Sequence, residues 1–441
     1  MALAAWAVFA FAGAYNWTLV PLAAGAVLLA ISERPSIFRA PYRVLDTALI
    51  VWLTLAAAML APLPASARRA IAPHAAAVDR ALYVESPTQP LDQQARPVSV
   101  DPGATMWALV MAGAVLLIFW SARSILNRHG LRATARGLAW IGLALSALAL
   151  VQHATSPTLM YWYFHPIASK ATPFGPYVNR NDLTTWLLLA IPLVAGYGIA
   201  RFTSRQRTAG GPIDLEASVD ATALWLAASV LLMLATVLAA TSRSGLTGTV
   251  VGLAVFMWLA RTRLGASGWT WLAAVLFALL ALATTYANWN SLASRLDETL
   301  AVGIGGRRAV WAQTWPMVRD FWISGVGVGA YERAMTVYQQ TPHAFYINHA
   351  HNEYLQLLAE GGVLLAVPAA LAVCAVVWLA AGQLRDDHSP VFWIRAGAAS
   401  GLLAAAVQGI WDTGLRLPGN AVLFALLAAI ALHDPRAKPG R

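Results

Sequence analysis

Residues 347–362 read INHAHNEYLQLLAEGG, and about twenty residues with almost no polarity follow them. Imidazole titrates near neutral pH, so either His349 or His351 is suited to take a proton from a hydroxyl group. Two residues apart, they diverge on a helix and share a side in an extended chain. With Glu353 they also spell a metal-binding pattern. Zinc sites need a third or fourth ligand at suitable spacing, and the neighbouring loops offer no carboxylate pair that would grip a divalent ion. A metal is therefore not expected. Nearby arginines would lower the imidazole pKa and keep it neutral, which favours a general base. A hydrogen-bonded loop histidine with no chemistry is the competing reading.

Four other places carry strong polar groups between apolar runs. Arg180 sits between Asn179 and Asn181 in PFGPYVNRND, and Arg243 lies at the tip of a very tight hairpin, ATSRSGL. Arg307 and Arg308 fall in GGRRAVW, and Asp412 and Arg416 in WDTGLRLPG. An arginine so near hydrocarbon is costly unless it meets water or an anion. Snorkelling to lipid headgroups is the bland account. Several guanidiniums on one face would instead make a set of bidentate forks for a diphosphate. GVGVGAY, at 325–331, has no βαβ unit around it and reads as a tight turn rather than a dinucleotide loop.

The elements that must position these groups are helices in lipid. The 441 residues are 59% hydrophobic and 11% charged, with mean hydropathy +0.59, where a soluble chain carries roughly a quarter charged residues. Long apolar runs recur throughout, so the fold expected is an all-α polytopic integral membrane protein. Spans of about 20 residues fall near 2–14, 16–32, 44–63, 105–122, 138–156, 183–200, 222–241, 245–260, 268–287, 362–383, 394–411 and 419–433, twelve in total. The first is read as a retained membrane segment, because no basic region or cleavage site precedes further apolar sequence.

Loops then alternate sides. One set is short and basic, including 33–43, 123–137, 201–221 and 261–267; the other holds two long segments, 64–104 and 288–361. Positive-inside logic makes the basic set cytoplasmic and turns the long loops outward. The chain is thus expected to be one membrane domain over 1–441, with an outer loop at 64–104 and a long, partly helical loop at 288–361 carrying site residues. Trp311, Trp315, Val318 and Trp322 suggest a helix in that loop, lying in the membrane interface or packed on its neighbours. Loop 64–104 reads as a flexible or lightly structured cap. The net charge of +10 is spread over loops and points to anionic lipid or phosphate rather than nucleic acid. Cys374, the single cysteine, lies in an apolar run and is not expected to act as a nucleophile.

In this order the pieces resemble the superfamily of bacterial O-antigen ligases, O-antigen polymerases and protein O-oligosaccharyltransferases, and most of all the O-antigen ligases. The resemblance rests on Asn179-Arg180-Asn181, on TSRSG with Arg243, on Arg307-x-x-x-Trp311 and on Gly325-x-Gly327. Its most specific part is His351-Asn352-x-x-Leu355 with Glu360-x-Gly362. It covers roughly 170–415. Leu365 stands where relatives often carry a second glycine.

The resemblance implies a lipid-donor, GT-C-type glycosyltransferase in the bacterial inner membrane with its active site facing the periplasm. Its donor would be undecaprenyl-diphosphate-linked glycan and its acceptor lipid A–core oligosaccharide, with no cofactor. The roles expected are His351 as base and Arg243 and Arg307 on the diphosphate. Arg180, Arg308, Asn352, Glu353, His349 and Arg416 would bind or orient substrate. A polymerase or protein transferase would share this chemistry, and a lipid-linked glycan flippase is the alternative from another class.

Overall fold

The structure is a computed structural model, and it describes residues 1–82, 94–167, 171–209, 220–261, 263, 306–340 and 346–434. The expected span at 268–287 lies outside these residues, as do parts of both long loops. In chain order the helices are α1 (Ala2–Phe9), α2 (Asn16–Glu33), α3 (Arg43–Ala58), α4 (Ala65–Ile71) and α5 (Ala75–Leu82). Next come α6 (Pro102–His129), α7 (Arg132–Thr155), α8 (Arg180–Ala209), α9 (Ala221–Ala239) and α10 (Arg243–Ala260). A helix over 306–320 is α11, followed by α12 (Tyr331–Tyr338), α13 (Glu353–Arg385), α14 (Phe392–Gln408) and α15 (Pro418–Ala431). Among the described residues there are no strands beyond isolated bridges.

Seven of the described helices are long and apolar enough to cross a membrane: α2, α6, α7, α8, α9, α10 and α13; α15 is apolar but shorter. Two expectations are revised. The pair of spans within 2–32 becomes one short and one full-length helix. α1 has eight residues, a length of about 12 Å at 1.5 Å per residue, well under the roughly 30 Å hydrocarbon layer. The break falls at Phe11 and Ala12, both with positive φ. The second revision concerns α13, which starts at Glu353 rather than 362, so the His-Asn segment runs directly into a helix.

α8 is the centre of the bundle, with 83% of its apolar window buried. Small residues let its neighbours close on it, as they do wherever apolar helices pack without a hydrophobic driving force between them. A Cβ on Gly397 of α14 would lie 2.3 Å from the Pro192 carbonyl oxygen of α8, and one on Gly401 2.6 Å from that of Leu189. Helix ends sort the bundle into two faces. At one, buried ion pairs tie the helices: Arg123 reaches Asp46 at 2.8 Å and Arg395 reaches Asp387 at 2.6 Å. At the other lie the N-termini of α8, α10, α13 and α15.

The two long loops meet at this second face and build a cap with its own core. Ala72, Val78 and Val98 from the first loop pack with Met317, Phe321 and Met335 from the second. Arg68 and Asp79, both nearly buried, pair at 2.8 Å. The 64–104 segment is therefore folded where described. The aromatic spacing in α11 does mark a helix, but its buried face is Gln313, Thr314, Met317 and Val318. Trp315 and Trp322 point outward, 46% and 57% exposed.

Candidate active site

The hairpin between α9 and α10 is shaped by its own small residues. Thr241 has φ 48°, and Ser242 caps α10 by accepting from the Gly245 amide at 3.2 Å. A Cβ on Gly245 would stand 2.2 Å from Thr184 Oγ1, so glycine is what lets α10 close on α8. Across that contact Arg180 Nη1 donates to Thr241 Oγ1 at 2.8 Å. Arg180, the first residue of α8, and Arg243, the first of α10, are thus brought to one hairpin. Ser244 donates to Asp412 Oδ2 at 3.0 Å, and the Thr413 amide donates to Asp412 Oδ1, also at 3.0 Å. Asp412 is 5% exposed.

The His-Asn segment is under the charge of the same carboxylate. Asn352 caps α13, its Oδ1 accepting from the amides of Tyr354 at 3.0 Å and Leu355 at 2.9 Å. Trp311 Nε1 donates to the Ala350 carbonyl at 2.9 Å, which pins α11 to the loop. Arg307 is one turn before Trp311 and so on the same helix face, which is the physical content of the Arg-x-x-x-Trp spacing. Burial holds the His351 imidazole below its usual pKa; Asp412 pulls it upward and Arg307 pushes it down. His351 thus feels a carboxylate that favours its charged form and a guanidinium that opposes it. Its backbone is left-handed, φ 50°, a conformation that non-glycine residues hold mostly at functional or tightly constrained positions.

The two histidines part here. Gln356 Oε1 accepts the Ala350 amide at 2.8 Å, which turns its Nε2 toward Glu360 Oε1 at 3.1 Å and His349 Nδ1 at 3.4 Å. His349 Nδ1 is then the accepting nitrogen. Burial and the Arg416 charge lower its pKa to about 3, so it is neutral at physiological pH. Arg416 binds Glu360 Oε2 through Nη1 at 2.8 Å and approaches Glu353 Oε2 at 3.5 Å. These groups line a cavity of about 420 Å³ whose far wall is apolar.

The Gly-x-Gly and Glu-x-Gly motifs are two halves of one crossing. α13 breaks at Gly362, φ 53° and ψ −158°. On one side of the break the carbonyls of Ala359 and Glu360 accept from the amides of Val326 at 2.9 Å and Gly327 at 3.0 Å. On the other, the amides of Val363 and Leu364 donate to the carbonyls of Trp322 and Ile323. A Cβ on Gly325 would lie 2.1 Å from the Glu360 carbonyl carbon, and one on Gly362 2.4 Å from the Ile323 oxygen. Leu365, the departure from the family pattern, is buried in the cap core.

The expected residues thus fall into two groups at one end of the bundle. Arg180 bonds the Arg243 hairpin, that hairpin bonds Asp412 through Ser244, and His351 feels the charges of Asp412 and Arg307. His349, Glu353 and Arg416 converge on the cavity. Arg308 is on the exposed side of α11 with Trp315 and Arg319, and Asn352 is occupied as a cap. Asp412, Gln356 and Glu360 had no assigned role from sequence. Asp412 stood in WDTGLRLPG and Glu360 in the Glu-x-Gly motif, Gln356 showed nothing beyond its polarity, and the pairing that gives each its role is long-range. Asn420 was missed outright: fully buried, it accepts from Tyr177 Oη at 2.9 Å and donates to the Asp182 carbonyl at 2.9 Å, locking the start of α8 to that of α15.

Fold and site together define a multi-pass helical membrane protein whose polar, histidine- and arginine-bearing site is gathered at one end of its bundle. Residues 228–370 match the model of the family described as O-Antigen ligase. The matched stretch contains Arg243, Arg307, His349, His351 and Glu360, while Arg180, Asp412 and Arg416 lie outside it. No curated protein matches the chain.

Proposed function

We propose that this protein is an O-antigen ligase of the bacterial inner membrane, transferring glycan from undecaprenyl diphosphate to lipid A–core oligosaccharide at the periplasmic surface. The observation that carries this reading is the hairpin that joins Arg243 to Arg180 and bonds Asp412 through Ser244, with His351 under the charges of Asp412 and Arg307. The basic loops at the opposite face support the orientation, and the family match supports the reaction class.

In the mechanism, His351 removes the proton from an acceptor hydroxyl as its oxygen attacks the anomeric carbon. The bond from that carbon to the diphosphate oxygen breaks on the opposite face, and the configuration inverts. Undecaprenyl diphosphate leaves with its negative charge spread over Arg243 and Arg307, with Arg180 and the helix N-termini adding positive potential. Asp412 stabilises the imidazolium that forms. It acts through His351 and is a positioning residue.

The test is transfer by purified protein supplied with lipid-linked donor and lipid A–core. His351→Ala should lower turnover by at least 100-fold with unchanged thermal stability; near-normal transfer by this variant would remove the base from the mechanism. Single repeats added to carrier-linked chains, with nothing on lipid A–core, would identify a polymerase instead.

A further inference from the structure

The cavity beside His349 is chemically unlike the arginine-bearing half of the site. Glu332, Glu353 and Glu360 line its polar end, and among the described lining residues Arg416 is the one guanidinium. That guanidinium is already held by Glu360 at 2.8 Å and approached by Glu353 at 3.5 Å. Three carboxylates around one engaged cation repel a diphosphate, but they present oxygens that accept from hydroxyl groups. From this end the cavity runs along α6 past Trp107, Met111 and Val115. Residues at this spacing share a helix face and extend over about 12 Å. Trp52 adds a second aromatic wall. Aromatic faces for the C–H side of a sugar ring, carboxylates for its hydroxyls and a volume of about 420 Å³ are what a saccharide pocket requires.

Placement supports the same conclusion. His349 lines the cavity while His351, two residues on, belongs to the arginine side. A hydroxyl presented from the cavity would therefore meet the base from one direction, and the diphosphate would lie in the other. We infer that this cavity is the acceptor subsite, holding an uncharged, hydroxyl-rich sugar ring, with Trp107 and Glu332 as its specificity-determining contacts. The inference rests on the transferase reading and adds which half of the site takes which substrate.

The experiment uses full-length protein in lipid nanodiscs, with Trp107→Ala and Glu332→Gln as separate variants. Initial rates are measured against acceptor at saturating donor and against donor at saturating acceptor. Undecaprenyl diphosphate binding is titrated without acceptor, and core oligosaccharide binding without donor. Both variants should raise the acceptor KM at least tenfold and weaken core oligosaccharide binding to match. The donor KM and undecaprenyl diphosphate affinity should stay within twofold. A loss on the donor side with the acceptor KM unchanged would give the cavity to the donor, and wild-type values throughout would mean that it takes no substrate; either overturns the assignment. Wild-type turnover in the same assay tests the transferase reading separately, and the oligosaccharide titration reads the cavity whether or not transfer occurs.

Discussion

Asp412→Asn isolates the link between the two halves of the arginine-bearing site. Asparagine has the same shape: its oxygen still accepts from the Thr413 amide, and its amide still meets the Ser244 hydroxyl, so the change is one of charge. A group that stabilises charge developing in the transition state is worth about 3 kcal/mol. That stabilisation is available only once His351 has taken the proton, so its loss raises the barrier and should cut kcat about 100-fold. Undecaprenyl diphosphate binding should be unchanged or tighter, since a negative charge near the guanidiniums has gone. The pH profile carries a second signature. Asp412 raises the His351 pKa, so removing its charge lowers that pKa, and the acidic limb of kcat/KM moves to lower pH. Arg307→Gln should move the limb the opposite way, because Arg307 lowers the same pKa. The assay is in vitro transfer at several pH values with both variants. A kcat within threefold of wild type together with an unmoved acidic limb would refute the coupling.

Further expectations follow from the same geometry. In the wild-type protein the acidic limb should lie below 6.5, with activity falling as pH drops through it, because burial holds His351 below its usual value; a limb at or above 6.5 would contradict this. Arg243→Lys and Arg307→Lys should each reduce kcat at least tenfold with modest effects on expression, since an ammonium lacks the planar fork; equal activity would rule out bidentate phosphate binding. Gly362→Ala places a Cβ 2.4 Å from the Ile323 oxygen at φ +53°. A positive φ with ψ near −158° is a conformation that side-chain-bearing residues adopt at a cost of about 1–3 kcal/mol, so a clear loss of thermal stability is expected. Arg68→Ala leaves Asp79 buried with only Arg96 at 3.3 Å. Breaking such a pair costs about 3–5 kcal/mol, so exchange of the cap amides should rise sharply while the central bundle, α8 and α14, stays protected.

Local chemistry wrote much of this protein legibly. Twenty-residue apolar runs have few alternatives to a helix in lipid, and each helix found among the described residues of the bundle overlaps an expected span. The motifs at 179–181, 241–245 and 307–311 were visible as residue types that apolar helices do not need. Their reasons were not visible. The Arg-x-x-x-Trp spacing makes sense only once Trp311 is seen to hold the Ala350 carbonyl, and Gly325 and Gly362 only once their two backbones cross.

What sequence alone determined is the class of structure and the inventory of reactive groups, because hydropathy and side-chain type act within a few residues. What tertiary structure decided is the partnership: that His351 feels the charges of Asp412 and Arg307 while His349 lines a carboxylate-bearing cavity, and that Arg416 is bound to Glu360. The physical reason is range. A left-handed turn at 351 and a buried carboxylate 61 residues later set the environment of one imidazole, and nothing in the local sequence encodes an electrostatic neighbour delivered by another helix.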